Sequence, residues 1–235
     1  MSDAAAIAGN VGPAAYRKWR GSTLGAVTEA LEHRLVLQMA GDLSGRSVLD
    51  VGCGDGALAL VAWQRGAQVT GVDPDPRMLG AAREKASALG APVTFLEAYG
   101  ERLPFPDQRF DVALAVTVLC FVPNALALLR EMARVLRPGG RLVIGELGKW
   151  SSWAASRRLR GWLGSPIWRS ARFWTASELR ALLEQAGFDV RAARGAIYYP
   201  PVGALARLMA PVDTAFEKLT TLGAAFIAVQ AVRRP

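Results

Sequence analysis

The chain has 235 residues, of which 51% are hydrophobic, so it can bury a sizeable core and its composition excludes a disordered protein. The formal net charge of +8 comes mainly from arginine; it would attract phosphate or acidic lipid but specifies no chemistry. Because Cys53, Cys120 and His33 are its only cysteines and histidine, we expect no disulfide framework, no metal site and a cytoplasmic protein.

Strand-like and helix-like segments alternate along most of the chain after a helix-like segment that contains His33. In chain order, the pattern predicts strand 46–52, helix 57–66, strand 67–73, helix 76–90, strand 92–98, strand 109–116, helix 124–140 and strand 141–147. The long apolar run 112–129 is divided by Pro123 and Asn124, which favours a buried strand and a helix over a membrane span. This order predicts a parallel, doubly wound α/β sheet with helices on both faces.

The last third of the chain adds a helix and two more strand-like segments. Thr175 and Glu178 have the spacing of a capping box at the start of a helix that ends at Gly187. Strand-like stretches follow at 188–199 and 223–232, with a helical segment between them. We predict one domain, residues 1–235.

A glycine-rich turn follows the first predicted strand and reads Asp50-Val51-Gly52-Cys53-Gly54-Asp55-Gly56. Such a turn lets the backbone approach a ligand closely at a helix N-terminus. It also satisfies the dinucleotide-binding pattern, with Asp73 where a ribose-binding carboxylate belongs, so an NAD(P)-dependent oxidoreductase is one interpretation. We interpret Asp55 as an N-cap of the next helix and Asp111 as structural.

Four ordered segments decide between these interpretations: VLDVGCGDG (48–56), GVDPDPRML (71–79), ERLPFPDQRFDVALAVTVLCFVPN (101–124) and LRPGGRLVI (136–144). Together they resemble the class I S-adenosylmethionine-dependent methyltransferases, in particular the small-molecule group related to the ubiquinone and menaquinone biosynthesis C-methyltransferases. The resemblance implies a Rossmann-like, seven-stranded, mostly parallel sheet with an antiparallel last strand and a helical cap. It implies an enzyme that uses S-adenosylmethionine as cofactor. The alternative to an enzyme is a non-catalytic regulator that binds the same cofactor.

The resemblance also assigns cofactor contacts. Asp50 and the backbone of the turn would meet the methionine portion, with Asp50 near the ammonium group, and Asp73 would accept both ribose hydroxyls. Many relatives place an aspartate against the adenine amino group where this chain has Tyr99, which leaves that contact to backbone, to Glu101 or to the tyrosine hydroxyl. The predicted cofactor-binding residues are Tyr16, Asp50, Gly52, Gly54, Asp73, Pro74, Met78, Tyr99, Gly100, Glu101 and Val116.

Residues 150–174 contain five of the seven tryptophans and five arginines, without a carboxylate. In similar enzymes this connection commonly forms a cap over the substrate pocket, so we predict that 148–175 packs with 14–40 above the carboxyl ends of the strands. Its arginines would then reach water or meet an anionic group on the substrate. The predicted substrate-binding residues are Trp19, Cys120, Phe121, Trp150, Trp153 and Trp174. Each assignment has an alternative. Cys120 would be a buried thiol, Trp19 would pack an N-terminal helix, and the tryptophans of 150–174 would fill the groove between cap and sheet.

These features favour a small, hydrophobic methyl acceptor. Peripheral contact with an anionic membrane is the second interpretation. Nucleic-acid binding is the third, because no catalytic motif for base methylation and no RNA-binding module is evident. The sequence offers no convincing histidine or paired carboxylate as a general base, which favours an acceptor that is already nucleophilic and leaves the catalytic residues unassigned. The oligomeric state stays open.

Overall fold

The computed structural model describes residues 12–235, and their seven strands form one sheet in the order β3-β2-β1-β4-β5-β7-β6. The strands are β1 Ser47–Val51, β2 Gln68–Asp73, β3 Thr94–Glu97, β4 Phe110–Val116, β5 Leu136–Leu147, β6 Phe188–Ala196 and β7 Phe226–Arg233. Neighbours from β3 to β5 pair in parallel, whereas β7 is antiparallel to both β5 and β6. The predicted α/β sheet with its antiparallel last strand is confirmed.

Helices cover both faces of the sheet, as the alternating pattern predicts. They are α1 Pro13–Arg20, α2 Thr23–Ala40, α3 Ala57–Gln64, α4 Pro76–Ala88, α5 Ala125–Val135, α6 Ser152–Trp162, α7 Pro166–Ser170, α8 Ala176–Gln185 and α9 Gly203–Phe216. Apolar side chains of α2, α3, α4 and α9 share one core with one face of the sheet. Those of α5 and α8 share a second core on the other face. Within the described range, no helix is both long and apolar enough to cross a membrane.

The junction between α5 and β5 differs from the prediction. The helix ends at Val135 instead of continuing to residue 140, and β5 begins at Leu136. Pro138 disfavours helical backbone at the residue before it, so the chain turns extended early. The pairing of β4 with β5 then shifts, from Phe110 opposite Leu136 to Val112 opposite Arg141, which places a bulge at the Pro-Gly-Gly sequence.

The N-terminal segment folds as two helices that meet at a tight corner. Ser22 is the N-cap of α2, and its side chain accepts a hydrogen bond from the Gly25 amide at 3.0 Å. Gly25 packs directly on the Trp19 backbone, where a Cβ atom would lie 2.0 Å from the Trp19 carbonyl oxygen. A glycine is therefore required at this corner, which sets the position of α1 relative to α2.

Candidate active site

A cavity of about 470 Å³ lies beside the carboxyl ends of β1, β2 and β4. Open α/β sheets bind their ligands at this edge. The cavity is lined by the glycine-rich turn and the strand ends, by α1 and α2, and by α6 and α7. Every predicted cofactor-binding residue lies on its wall: Tyr16, Asp50, Gly52, Gly54, Asp73, Pro74, Met78, Tyr99, Gly100, Glu101 and Val116.

The glycine-rich turn has a backbone that ordinary residues rarely adopt. Gly52, Gly54 and Gly56 have φ angles of 69°, 54° and 77°, in the left-handed region that favours glycine. At Gly52 a Cβ atom would also lie 2.4 Å from Cγ2 of Val118, so the turn and the loop after β4 fit together only without a side chain there. The turn thus presents bare backbone to the cavity.

Asp50 is a buried carboxylate that lacks a counter-charge. Its side chain is 2% exposed, and its Oδ2 atom has no hydrogen-bond partner among the described residues. Burial and the negative charge of Asp73 raise the pKa of Asp50 to about 7. A buried polar atom without a partner is costly, so this position suits a positively charged ligand group such as an ammonium.

Asp73 ends β2 and is held in place by the backbone. Its two carboxylate oxygens accept hydrogen bonds from the amides of Gly54 and Asp75, each at 2.9 Å. Burial raises the pKa of Asp73, while these two bonds act in the opposite direction. A carboxylate can accept about four hydrogen bonds, so Asp73 keeps capacity for a pair of hydroxyl groups.

Asp55 does not cap the helix after the turn, contrary to the prediction. Gly56 occupies the N-cap position without a side-chain bond. Asp55 instead pairs with Arg20 of α1 and, at 2.6 Å, with the Lys85 ammonium of α4, and Arg20 also pairs with Glu29 of α2. Burial raises the pKa of Asp55, but Arg20 and Lys85 outweigh this effect and hold the pKa below its usual range. The carboxylate therefore fastens α1 against the cofactor end of the cavity.

The part of the cavity wall formed by Trp19, α2, the loop after β4, the end of β5, α6 and α7 is mainly apolar, and we call it the acceptor end because two predicted substrate-binding residues lie there. Trp19 and Phe121, two of the predicted substrate-binding residues, line it. Tyr16 packs edge-on against Trp19 with ring centroids 6.5 Å apart. The remaining apolar wall comes from the loop after β4, the end of β5 and α7: Val118, Val122, Leu147, Ile167 and Trp168.

Three predicted substrate-binding tryptophans do not lie on this cavity, which corrects the prediction. Trp150 precedes the N-cap of α6 and is 61% exposed, with the Lys149 ammonium 5.9 Å from its ring centroid. Trp153 is buried in the core, where its Nε1 donates to the Tyr199 carbonyl oxygen at 2.8 Å. Trp174 is 1% exposed in the core on the other face of the sheet. Trp168 of α7 lines the cavity instead.

Cys120 is also absent from the wall of the main cavity. It is buried and borders a second, smaller cavity of about 340 Å³ together with Trp174. Burial, together with the charge of Glu146, raises the pKa of its thiol well above the ordinary value. Its burial suits the alternative of a buried thiol, and a contact between Cys120 and the substrate stays a prediction.

Four polar residues that were not among the predicted site residues line the acceptor end. They are Glu29, Glu32 and His33 of α2 and Arg157 of α6. Arg157 belongs to the arginines of 150–174, which were expected as a group to reach water or an anionic group on the substrate. Residues spaced i, i+3 and i+4 share one face of a helix, so the spacing of the first three was a usable signal. No pattern in α6 indicated that Arg157 would face the same space, because that depends on how α6 docks.

Glu32 and Arg157 interact electrostatically, but they form no ion pair in the described part of the chain. Burial raises the pKa of Glu32 to about 8, and the charge of Arg157 opposes that rise. The Arg157 guanidinium lies between the rings of Trp153 and Trp168, 5.0 and 4.8 Å from their centroids. Burial also lowers the pKa of His33, which keeps it neutral at pH 7.

Glu146 holds the loop after β4, which lines the cavity. Its fully buried carboxylate accepts hydrogen bonds from the amides of Val118, Leu119 and Cys120 at 3.0, 2.8 and 3.1 Å. Burial raises the pKa of Glu146 to about 7 against these stabilising bonds. Sequence reasoning missed this residue because it lies on a strand, 26 residues after the last of the amides it binds.

Among residues 12–235, no group of three or more histidine, cysteine, aspartate or glutamate side chains is arranged to hold a metal ion. Asp50 suits an ammonium, Asp73 suits a diol, and the turn between them presents backbone; this set fits the methionine and ribose portions of S-adenosylmethionine.

Comparisons with known proteins agree with this fit. Residues 49–144 match a family model described as a methyltransferase domain. An uncharacterized protein of Mycobacterium tuberculosis is 35% identical over 219 residues, 93% of this chain and 71% of its own length. A ubiquinone biosynthesis O-methyltransferase of Idiomarina loihiensis is 33% identical over 170 residues, 68% of this chain and 69% of its own. A crystal structure of an S-adenosylmethionine-dependent methyltransferase of Thermotoga maritima superimposes with a TM-score of 0.66 at 23% identity, covering 93% of this chain and 94% of the other.

Proposed function

Because the chain belongs to the class I S-adenosylmethionine-dependent methyltransferases, we propose that it transfers a methyl group to a small, largely hydrophobic molecule bound at the acceptor end of its cavity. The cofactor supplies an electrophilic methyl group on a sulfonium. The protein has to align donor and acceptor in a dry space, and orientation of this kind contributes about 7–11 kcal/mol in favourable cases.

The single observation that carries this proposal is the continuity of the cavity. The carboxylates of Asp50 and Asp73 share one cavity with an apolar wall that includes Trp19, Phe121 and Trp168. An acceptor on that wall therefore adjoins the cofactor with no barrier between them. Several relatives have names that refer to ubiquinone or menaquinone biosynthesis, so quinone precursors belong among the acceptors to be tested.

For the cofactor we propose the contacts that the sequence analysis assigned. Asp50 would hold the ammonium group, Asp73 the ribose hydroxyls, and the backbone of Gly52 and Gly54 would contact the methionine portion. Pro74, Met78, and the segment from Tyr99 to Glu101 would enclose the adenine, with Tyr16 and Val116 completing the wall. Placement of all these residues on one cavity supports the assignment.

We further propose that the chain works as one domain in which 14–40 and 148–175 form a cap. Side chains of both segments line the same cavity: Tyr16, Trp19 and Glu32 from the first, Arg157 and Trp168 from the second. The pairing of Arg20 with Asp55 fastens the first segment to the turn. Closure of such a cap would exclude water from the reacting groups.

A screen of acceptors tests the proposed reaction. The purified chain is incubated with S-adenosylmethionine and separate sets of phenols, quinols, amines and thiols, and products are detected by a mass increase of one methyl group. We expect product with hydrophobic aromatic acceptors and less product with Asp73→Ala at the same subsaturating cofactor concentration. Cofactor binding without product from any class would contradict the proposed function and favour a cofactor-binding regulator.

Peripheral contact with an anionic membrane is a second proposal, supported by the outer side of α6. Leu159, Trp162 and Leu163 face solvent there, with Trp162 85% exposed, and Arg160 is exposed beside them. No carboxylate lies between residues 150 and 174. Each basic residue near an acidic bilayer contributes about 1 kcal/mol, and the indole would insert at the headgroup level.

Sedimentation with vesicles tests this contact. We expect binding to phosphatidylserine-containing vesicles at low salt, release at high salt, and no binding to pure phosphatidylcholine. Trp162→Ser should weaken the binding, whereas Leu89→Ser, which removes another exposed apolar side chain at the end of α4, should not. Equal behaviour of the two variants, or no binding at low salt, would contradict the membrane proposal.

A further inference from the structure

Arg157 is a guanidinium held in a fixed position without a carboxylate partner among the described residues. Its stacking between Trp153 and Trp168 restricts the side chain, and Trp153 is itself fixed by its bond to the Tyr199 carbonyl. Neighbouring Arg158 differs, since its guanidinium lies over Phe173, 4.9 Å from the ring centroid, and it is absent from the cavity wall. The structure thus separates one arginine from the basic cluster of 150–174.

The acceptor end has one unbalanced charge at neutral pH. Arg20 is neutralised by Asp55 and Glu29. Glu32 has a pKa of about 8, so it is mainly protonated at pH 7. Tyr16, with a pKa of about 12, and His33, with a lowered pKa, are neutral as well. The positive charge of Arg157 therefore lacks a counter-charge in the apolar part of the cavity.

We propose that Arg157 anchors a carboxylate group on the acceptor, with Glu32 as the second hydrogen-bonding group beside it. This inference rests on the proposed function, because it assigns the polar side of the acceptor end to that same molecule. A guanidinium presents a planar fork of donors that matches a carboxylate, and such charged bonds are strong where water is excluded. The apolar wall would hold the rest of the molecule, so the substrate class is a hydrophobic, aromatic carboxylic acid.

Ionisation of Glu32 makes this binding depend on pH. Below pH 8 the protonated carboxyl can donate a hydrogen bond to the bound carboxylate; above pH 8 it is an anion and repels the ligand. Affinity for an acid should therefore fall as the pH rises through 8. At this pH Arg157 stays charged, and Tyr16 and Tyr199, whose pKa values are raised to about 12, stay neutral. The charged and titratable side chains that face Glu32 are Arg157, Arg20, Glu29, Tyr16 and Tyr199.

Calorimetric binding of matched acids and amides tests the inference independently of turnover. The full chain, saturated with S-adenosylhomocysteine, is titrated at pH 7 with benzoate and benzamide, cinnamate and cinnamamide, and 2-naphthoate and 2-naphthamide. We expect at least one acid to bind about tenfold more tightly than its amide. Arg157→Met should remove that preference, and Arg158→Met should retain it. Glu32→Gln should remove most of the loss of affinity between pH 7 and pH 9.

The inference is overturned if no acid binds more tightly than its amide, or if Arg157→Met keeps the preference. Affinity for S-adenosylhomocysteine reports whether that variant still folds. If Arg157→Met does not bind S-adenosylhomocysteine, Arg157→Lys is tested in its place. A preference for acid over amide that falls at least about threefold supports recognition by the guanidinium, and an unchanged preference overturns the inference. Failure of the methylation screen would leave these binding results interpretable, so the two proposals can fail separately.

Discussion

The two ends of the cavity are built in different ways. The cofactor end is formed by the consecutive turn after β1 and the end of β2, and its Asp73 is oriented by two backbone amides. The acceptor end is assembled from helices far apart in the chain, and its polar groups Glu32 and Arg157 form no ion pair in the described residues. The comparison teaches that consecutive residues shape one end, whereas the docking of distant helices shapes the other.

The largest effect should follow removal of the carboxylate that holds the loop after β4. Glu146→Ala leaves three backbone amides of the loop after β4 without their acceptor, and we expect the free energy of unfolding to fall by about 3 kcal/mol. Chemical denaturation measures this change. Glu97→Ala, which removes an exposed glutamate at the end of β3, should change it by less than about 0.5 kcal/mol. Equal stability of the two variants would mean that Glu146 does not anchor the loop.

A smaller effect, confined to the cofactor end, should follow Asp73→Ala. We expect the affinity for S-adenosylmethionine to fall about tenfold or more, since charge-assisted hydrogen bonds to the ribose would be lost. Calorimetric titration measures it. Asp111→Ala provides the control, because Asp111 binds Ser47 at the amino end of β4, away from the cavity. An unchanged affinity in Asp73→Ala would break the assignment of the cofactor end.

The smallest effect should follow Trp168→Ala at the acceptor end. Loss of this aromatic wall should raise KM for the acceptor about fivefold and leave cofactor affinity unchanged. Steady-state kinetics with the acceptor found by the screen measures both. Trp150→Ala should change neither, because Trp150 lies outside the cavity and is mostly exposed. If Trp150→Ala impaired acceptor use as much as Trp168→Ala, the boundary of the acceptor end would have to be redrawn.

The order of strands, and the placement of the predicted cofactor-binding residues on one cavity, were predictable because their signals are local. Apolar runs with strand or helix periodicity specify elements of a known length, and glycines with positive φ are needed at the turn whatever surrounds them. Asp73 follows its strand directly, so its place at the carboxyl edge follows from the parallel order. The helix before β5 was misjudged by a few residues, because the effect of Pro138 on the preceding backbone was not weighed.

The acceptor end was not predictable to the same degree. The tryptophans of 150–174 were interpreted as one group, yet Trp153 and Trp174 belong to cores on opposite faces of the sheet and Trp168 alone among the five lines the main cavity. A tryptophan side chain is apolar in every one of these environments, so residue type could not distinguish them. Glu32 was missed because its electrostatic interaction with Arg157 depends on how α6, more than a hundred residues later, is positioned relative to α2.

By itself, the sequence determined the fold class, the family and the cofactor, since each is encoded in short segments whose backbone conformation and position are decided within the segment or at its strand end. Only the tertiary structure decided which side chains of α2, α6 and α7 meet across the cavity, which carboxylate fastens the loop after β4, and which arginine lacks a counter-charge. Those outcomes depend on how helices dock on a sheet, and docking is determined by packing of the whole core.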